Sequence, residues 1–263
     1  MGNAALLMRD LGHEVFGSDQ AVYPPMSDML DEAGIQIMEG FNAGRMAKLN
    51  PDLVIVGNAF SRGNEEVEYL LDERSIPYAS LPEALSRFIL SKRRNIVVTG
   101  THGKTTTTAL CAYLLEQSGG DPGYVIGGAP LDPEQGWASG AEGGSFVIEG
   151  DEYDSAFFDK RSKFIHYQPH IAIFNNLEFD HADIFRDLQD VKRTFEHFTR
   201  LIPRSGFALI NGDDENLLSL FPLNWTTVFQ VGLSQDCDLR IENYETMTNG
   251  SRFDLVWQGK LWK

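Results

Sequence analysis

Short apolar runs and segments with helical spacing alternate along the first ninety residues. The run 52–57 is almost entirely apolar, which is typical of a strand buried on both faces of a parallel sheet. Apolar positions recur at helical spacing in 26–33, and Gly34 follows as a stop signal. Further strands are predicted at 14–19 and 35–37, and further helices at 65–71 and 82–90. This alternation predicts βαβ units and a doubly wound α/β sheet.

A second α/β pattern begins after the polar, basic segment 91–95, which we interpret as a loop between two domains. The apolar run 96–98 predicts a strand, and a Gly/Thr-rich turn leads from it into a helix predicted at 104–117. Downstream we predict strands at 146–148, 171–174 and 206–210, a helix at 188–201 and a hairpin turn at Asn249-Gly250. We therefore expect a Rossmann-like domain at 1–92 and a P-loop NTPase-like central domain with a mostly parallel sheet at 93–263.

Composition narrows the classes of function. The chain has 22 Lys and Arg against 38 Asp and Glu, a formal net charge of −16. This balance argues against nucleic-acid binding, because backbone-phosphate contacts need clustered Lys and Arg. No run approaches the length of about eighteen apolar residues that a membrane helix needs. Two cysteines, Cys111 and Cys237, are too few for a disulfide framework, which favours a reducing compartment.

The segment 97–106, VVTGTHGKTT, predicts a phosphate-binding loop. Glycines let backbone N–H groups converge on an anion, and the helix N-terminus adds positive potential. Lys104 can reach terminal phosphates, and the Thr105 hydroxyl can bind Mg²⁺. The loop is tighter than the common G-x-x-x-x-G-K-[ST] form, whose first glycine would fall at Val98. The candidate nucleotide-binding residues here are Gly100, Thr101, His102, Gly103, Lys104, Thr105 and Thr106.

Four carboxylates follow the predicted strand 146–148 within six residues, in the sequence EGDEYD. Crowded carboxylates repel one another, so a cation is expected among them. Glu149 comes first after the strand and is the best candidate for a Mg²⁺ ligand beside the phosphate loop. The alternative is a solvated acidic loop.

Polar side chains also follow two later strands. His181 lies beside Asp180 after strand 171–174, and is a candidate metal ligand or base, although a structural histidine is the more common case. Asn211 follows strand 206–210 and is a candidate for reading an adenine edge, with an ordinary Asx turn as the alternative.

The ordered motifs GTHGKTT, EGDEYD, NLEFDH and NGDD resemble those of the Mur ligase family, the ATP-dependent amide-bond-forming enzymes of bacterial cell-wall synthesis. The resemblance implies that ATP phosphorylates a carboxylate and that an amine attacks the acyl phosphate. Lys104 would then stabilise the transferring phosphoryl group, Thr105 and Glu149 would hold Mg²⁺, and His181 would help to hold a second cation. It also implies that Asn211 reads adenine. Other members carry a carbamylated lysine where the best register here places Phe195.

The resemblance further implies UDP-N-acetylmuramate as one substrate. Segments 57–64, 154–167 and 180–185 look most similar to members that add the murein tripeptide L-alanyl-γ-D-glutamyl-meso-diaminopimelate. Addition of L-alanine is the alternative. The candidate substrate-binding residues are Ser18, Asp19, Asn58, Ser61, Asp151, Glu152, Lys160 and Arg161. Such an enzyme is expected in the cytoplasm, and no protein partner can be inferred.

Compared with that family, the chain is expected to lack the first strand of the N-terminal domain and the whole C-terminal domain. We therefore expect it to be inactive alone, with an open gap in the first sheet. Two further functions stay open: a P-loop kinase or NTPase switch, which would turn over ATP without a UDP-sugar, and a nucleotide-binding module without catalysis.

Overall fold

The computed structural model describes residues 1–131, 133–180, 182 and 184–262. In its first part, helices and strands alternate as the sequence pattern predicts. These elements are α1 Gly2–Asp10, β1 Phe16–Asp19, α2 Met26–Glu32, β2 Gln36–Glu39, α3 Ala43–Leu49, β3 Val54–Val56, α4 Glu65–Glu73, β4 Tyr78–Ser80 and α5 Leu81–Phe88. The strands pair in parallel as β1 with β2 and β3 with β4, in two separate two-stranded sheets rather than one continuous sheet.

The second part contains the longer strands and the principal helix. Short 3₁₀ helices lie at Leu90–Lys92 and Lys163–His166. The other elements are β5 Arg94–Thr99, α6 Lys104–Gln117, β6 Gly123–Val125, β7 Trp137–Ala138, β8 Ser145–Glu149, β9 Asp154–Ala156, β10 Asp159–Ser162, β11 Ile171–Phe174, α7 Leu188–Thr199, β12 Phe207–Asn211, α8 Glu215–Leu218, β13 Thr227–Gly232, β14 Leu239–Met247, β15 Gly250–Trp257 and β16 Lys260–Trp262.

One ten-stranded sheet dominates this second part, in the order β16-β15-β14-β13-β12-β11-β5-β8-β6-β7. The strands from β14 to β6 in this order are all parallel, and β7, β15 and β16 add antiparallel pairings at the two ends. Strand β5 lies in the middle, between β11 and β8. The fold class predicted from the sequence, α/β with a mostly parallel central sheet, is therefore confirmed.

Both faces of β5 are buried. Successive side chains point to opposite sides of a strand, so neighbouring residues of β5 belong to different apolar clusters. Val97 packs on one face in a large apolar cluster that also holds Phe146, Phe174 and the α7 phenylalanines. Val98, on the other face, packs in a cluster with Ala112 of α6. Helix α1 joins the first cluster through apolar side chains, so the first part of the chain packs directly on the central sheet.

Two local predictions are corrected. The predicted loop 91–95 is wrong in its second half, since Arg94 and Asn95 begin β5. Asn95 is 1% exposed. This polar side chain tolerates burial because its amide donates hydrogen bonds of 3.0–3.1 Å to the carbonyls of Leu90, Tyr167 and Gln168. The hairpin turn is also displaced by one residue: Met247 pairs with Gly250, which begins β15, so the turn lies at 248–249. No helix in the described ranges has the length and apolar character needed to cross a bilayer.

Candidate functional site

The predicted site residues of the second part lie at one edge of the central sheet. Parallel strands β8, β5, β11 and β12 end side by side at Glu149, Thr99, Phe174 and Asn211. Crevices at the carboxyl ends of parallel strands are the usual ligand sites of open α/β sheets. The topology therefore brings the predicted phosphate loop, acidic segment and Asn211 to the same edge.

The loop between β5 and α6 has the backbone geometry of an anion cradle. Gly100 has a φ of +136°, and a Cβ there would lie 2.9 Å from the Asn175 Cβ and 3.0 Å from the Asn176 nitrogen. Gly103 has a φ of +78° and caps α6. Glycine is required at Gly100 by both backbone conformation and space. At the start of α6, His102, Gly103, Thr105 and Thr106 are exposed, so the free helix N-terminus faces solvent.

The segment after β11 holds this loop in place. The His102 N–H donates to Oδ1 of Asn176 at 2.8 Å, and Nδ2 of Asn175 donates to the Thr107 hydroxyl at 3.1 Å. The Thr101 hydroxyl accepts from the Glu178 N–H at 2.9 Å. Asn175 and Asn176 are not among the predicted site residues. The available signal was their position directly after a buried strand that neighbours β5.

Lys104 folds back over its own loop. Its Nζ donates to the carbonyls of Gly100 at 2.7 Å and Thr101 at 3.1 Å, and forms an ion pair of 2.9 Å with Oε2 of Glu152. The Lys104 side chain is 15% exposed and that of Glu152 is 2% exposed. Glu152, predicted to bind substrate, is thus a buried partner of the loop lysine.

Glu149 lies against the first turn of α6. Its Oε2 accepts from the Thr105 hydroxyl at 3.0 Å, and its Oε1 accepts from the Gly127 N–H. Glu149 forms no ion pair with the described residues. A carboxylate and a hydroxyl in contact, with no ion pair between that carboxylate and the described residues, form a donor set that suits a hard divalent cation.

The rest of the predicted metal site is not described. His181 lies outside the described residues, so its predicted role as metal ligand and catalytic residue stays a prediction. Within the described ranges, no group of three or more His, Cys, Asp or Glu side chains is arranged to hold a metal ion. Thr105 and Glu149 are therefore the two predicted ligands that the structure brings together.

The acidic segment continues into the β9–β10 hairpin, where acidic and basic side chains pair. Asp151 pairs with Lys163 at 2.6 Å, and Asp154 with Lys160 at 2.7 Å. The predicted substrate-binding residues Lys160 and Arg161 are 69% and 63% exposed. Lys163, the partner of Asp151, is not among the predicted substrate-binding residues.

Arg161 also organises the end of this hairpin. Its guanidinium donates two hydrogen bonds, of 2.9 and 2.7 Å, to the Asp159 carboxylate. These bonds lower the pKa of Asp159 to about 2. Nε2 of His166 lies 3.0 Å from the same carboxylate. Burial and the nearby Arg161 charge lower the pKa of His166, which outweighs the opposite effect of Asp159.

Asn211 is engaged within the protein. Its Nδ2 donates to the Asn175 carbonyl at 3.0 Å, and its Oδ1 accepts from the Asp213 N–H at 3.0 Å. The Asx turn considered from the sequence is thus present, and Asn211 also braces the segment after β11. Adenine recognition by Asn211 stays a prediction.

The predicted substrate residues of the first part lie at the end of β1 and in the loop after β3. Ser18 donates to Oε1 of Glu66 at 3.1 Å, and Asp19 accepts from the Ala21 N–H at 3.4 Å. Asn58 and Ser61 are exposed in the loop after β3. All four lie on the carboxyl-end side of their strands, which is where open parallel sheets usually bind ligands.

Comparison with known proteins supports this reading. Residues 98–262 match the model described as Mur ligase middle domain, and residues 1–93 match the model described as Mur ligase family, catalytic domain. The UDP-N-acetylmuramate–L-alanyl-γ-D-glutamyl-meso-2,6-diaminoheptandioate ligase of Escherichia coli K12 is 52% identical over 217 residues, which are 82% of this chain and 47% of that protein. The UDP-N-acetylmuramate–L-alanine ligase of Leuconostoc mesenteroides is 37% identical over 99% of this chain and 54% of its own length.

A solved structure agrees with these relatives. The UDP-N-acetylmuramate:L-alanyl-γ-D-glutamyl-meso-diaminopimelate ligase from Neisseria meningitides has a TM-score of 0.90 and 39% identity, over 99% of this chain and 82% of that one. The chain spans about half the length of the curated relatives it matches. Family models match both parts of the sequence. The described residues of the motifs that resemble the family follow neighbouring strands that end at one sheet edge. The chain therefore belongs to the Mur ligase family.

Proposed function

We propose that this chain supplies the UDP-sugar-binding and ATP-binding parts of a ligase that joins UDP-N-acetylmuramate to the tripeptide L-alanyl-γ-D-glutamyl-meso-diaminopimelate. The observation that supports it best is the glycine loop with Lys104 directly beside the Thr105–Glu149 pair. The 52% identical relative carries this activity in its name. We propose a boundary between residues 92 and 93, and a cytoplasmic location, where ATP is available.

When bound, ATP supplies the phosphoryl group that activates the muramoyl carboxylate. Lys104 holds positive charge at the loop through the Gly100 and Thr101 carbonyls and Glu152. Phosphate oxygens offer the ammonium stronger, charge-assisted hydrogen bonds than the neutral carbonyls do. The N–H groups at the start of α6 add fixed dipoles that need no reorganisation. These groups therefore orient the phosphates and neutralise their charge.

Thr105 and Glu149 are the residues that would hold Mg²⁺, which neutralises phosphate charge when bound. Their contact through a hydroxyl and a carboxylate oxygen, with no ion pair between Glu149 and the described residues, is the fit on which this assignment depends. His181 completes the proposal as a ligand to a second cation, and Asn211 as the adenine contact. The sugar nucleotide is assigned to the residues at the end of β1 and in the loop after β3, and the tripeptide side to Asp151, Lys160 and Arg161.

Calorimetry with Mg-ATP tests the nucleotide half of the proposal. Lys104→Ala is expected to weaken binding about 10- to 100-fold, the value of one charge-assisted hydrogen bond. Lys92→Ala removes a lysine at the end of a 3₁₀ helix away from the loop and is the matched control. Equal affinity of all three proteins would contradict the assignment of the loop.

Product formation tests the acceptor. ADP release is measured with UDP-N-acetylmuramate and either the tripeptide or L-alanine, using this chain and the chain joined to any flanking coding sequence in its gene. We expect preference for the tripeptide. Preference for L-alanine would favour the second candidate function, which the 37% identical relative supports. ATP turnover without the sugar nucleotide would instead indicate a P-loop NTPase.

A further inference from the structure

Asn3 connects the first helix to a loop of the central sheet. It lies in α1 and is 5% exposed. Its Nδ2 donates to the Ile126 carbonyl at 2.7 Å and to the Gly128 carbonyl at 2.8 Å. Both partners are acceptors, so the amide nitrogen, and not the oxygen, must face them. One side chain from the start of the chain thus spans residues 126 and 128.

The residue between these two carbonyls is Gly127, whose N–H donates to Oε1 of Glu149. The other oxygen of that carboxylate accepts from the Thr105 hydroxyl at 3.0 Å. A Cβ on Gly127 would lie only 3.0 Å from Oε1. The position of the turn at 126–128 therefore sets the orientation of the Glu149 carboxylate.

Close packing leaves Asn3 little freedom. A Cβ on Gly136 would lie 2.1 Å from its Nδ2, so the glycine is required for this approach. The Ile126 N–H donates to the Gly136 carbonyl at 2.8 Å, which ties the two ends of the 126–136 loop. At the other end of α1, Asp10 accepts from the Trp137 indole at 2.8 Å. Helix α1 is thus fixed at two points, to the turn at 126–128 through Asn3 and to β7 through Asp10.

Burial of the Asn3 side chain has a cost, because one of its polar atoms has no hydrogen-bond partner. No donor among the described residues reaches Oδ1 of Asn3, although this atom is buried. An unpaired buried acceptor is destabilising, and the two hydrogen bonds that the same amide donates to the loop offset this cost. A buried Asn that satisfies two carbonyls specifies one arrangement of helix and loop, which an apolar side chain would not do.

We propose that Asn3 is a positioning residue that clamps the 126–128 turn, so that the Gly127 N–H holds Glu149 in the orientation that binds Mg²⁺. The metal role rests on the proposed function, whereas the clamp does not. Through this contact the first part of the chain adjusts the cation site of the second part. Movement of α1 would be transmitted to Glu149 through a single amide.

Hydrogen exchange of the folded chain tests the clamp without any ligand. Alanine is a better helix former than asparagine, so Asn3→Ala keeps α1 intact. We expect the Gly127 amide to exchange about tenfold faster in Asn3→Ala. Met8→Ala truncates another buried side chain of α1 that makes no hydrogen bond to the loop. The same acceleration in both variants, or in neither, would overturn the clamp. Asn3→Asp, which keeps the volume but faces two carbonyls with oxygen, should accelerate exchange as well.

Magnesium titration then tests the positioning role. We expect Asn3→Ala to raise the Mg²⁺ concentration needed for half-maximal ATP binding about tenfold and to leave ATP binding in EDTA unchanged. In a Glu149→Gln background the effect of Asn3→Ala should vanish, because both residues act on the same ligand. Additive effects, or an equal loss in EDTA, would overturn the positioning role. If the unmodified chain shows no ATP binding at all, the proposed function fails, and the exchange experiment still decides the clamp.

Discussion

Lys104 and Glu152 form an ion pair of 2.9 Å in which the carboxylate side chain is only 2% exposed. Lys104 also donates to two carbonyls of its own loop. A buried charge that loses its partner is strongly destabilising, whereas replacing both partners by neutral groups often costs little. We therefore expect the loop lysine to affect stability as well as the proposed nucleotide binding.

This ion pair predicts a non-additive pair of substitutions. Lys104→Ala should lower the free energy of unfolding by about 3 kcal/mol, since it leaves the Glu152 charge buried without its lysine. The double variant Lys104→Ala/Glu152→Gln should recover a substantial part of that loss. Urea denaturation of the two variants and Glu152→Gln alone gives the coupling. A double variant as unstable as the sum of the single variants would show that the pair is not coupled.

Substitution of two glycines with positive φ should have different effects on stability and on ATP binding, because only Gly100, in the loop before α6, is closely packed. Gly100→Ala would force a Cβ to within 2.9 Å of Asn175 and 3.0 Å of the Asn176 backbone. We expect it to destabilise the fold by at least about 2 kcal/mol and to abolish Mg-ATP binding, because the loop must shift.

Gly119→Ala is the matched control, because Gly119 has a φ of +81° and nothing lies within 4 Å of a Cβ there. It should cost only the strain of a left-handed alanine, about 1 kcal/mol, and retain ATP binding. Calorimetry and urea denaturation measure both quantities. Similar behaviour of the two variants would mean that space at Gly100 is not limiting.

Asn95 predicts the stability of the start of β5. Its amide serves three carbonyls, so Asn95→Ala should lower the free energy of unfolding by about 2–3 kcal/mol. Asn95→Asp should be worse, since a carboxylate would face three carbonyl oxygens. Arg94→Ala, at the exposed neighbouring position, should change stability by less than about 0.5 kcal/mol. Equal, small effects of all three changes would contradict the role of the buried amide.

Two elements have the bounds that the sequence predicts, for different reasons. The strand 171–174 is a continuous apolar run at the centre of the sheet, and the helix 104–117 begins directly after the Gly103 turn. The strands β9 and β10 are too short for a periodic pattern to predict them. The ion pair between Lys160 and Asp154 joins the two strands, and a pattern of apolar positions does not reveal such a contact.

The chemistry of the candidate site is only partly readable from single motifs. Thr105 contacts Glu149 because β5 and β8 end side by side in the parallel sheet, whereas their role as Mg²⁺ ligands stays a prediction. The pairing of Lys104 with Glu152 depends on the path of the chain after β8, and the contact of Asn3 with residues 126 and 128 spans more than 120 positions. Such contacts are set by tertiary packing, so local sequence does not predict them.

Asp159 predicts the acid response of the β9–β10 hairpin. Hydrogen bonds from Arg161 hold its pKa at about 2, below the ordinary value of 3.8. A carboxyl whose pKa is lower in the folded state stabilises the fold fully above its unfolded pKa, and this contribution is lost as the pH falls from about 3.8 to about 2. Asp159→Asn should therefore be less stable than the unmodified chain at pH 5 and lose less stability over this interval.

Urea midpoints measured across this pH interval give the slope of stability against pH for the unmodified chain and for Asp159→Asn. Other carboxyls titrate in the same range in both proteins, so the difference between the slopes, and not either slope alone, reports on Asp159. Glu142→Gln, at an exposed loop position, is the control and should follow the unmodified chain. If Asp159→Asn and the unmodified chain lose stability in parallel between pH 3.8 and pH 2, the bond from Arg161 does not bias this carboxyl in solution.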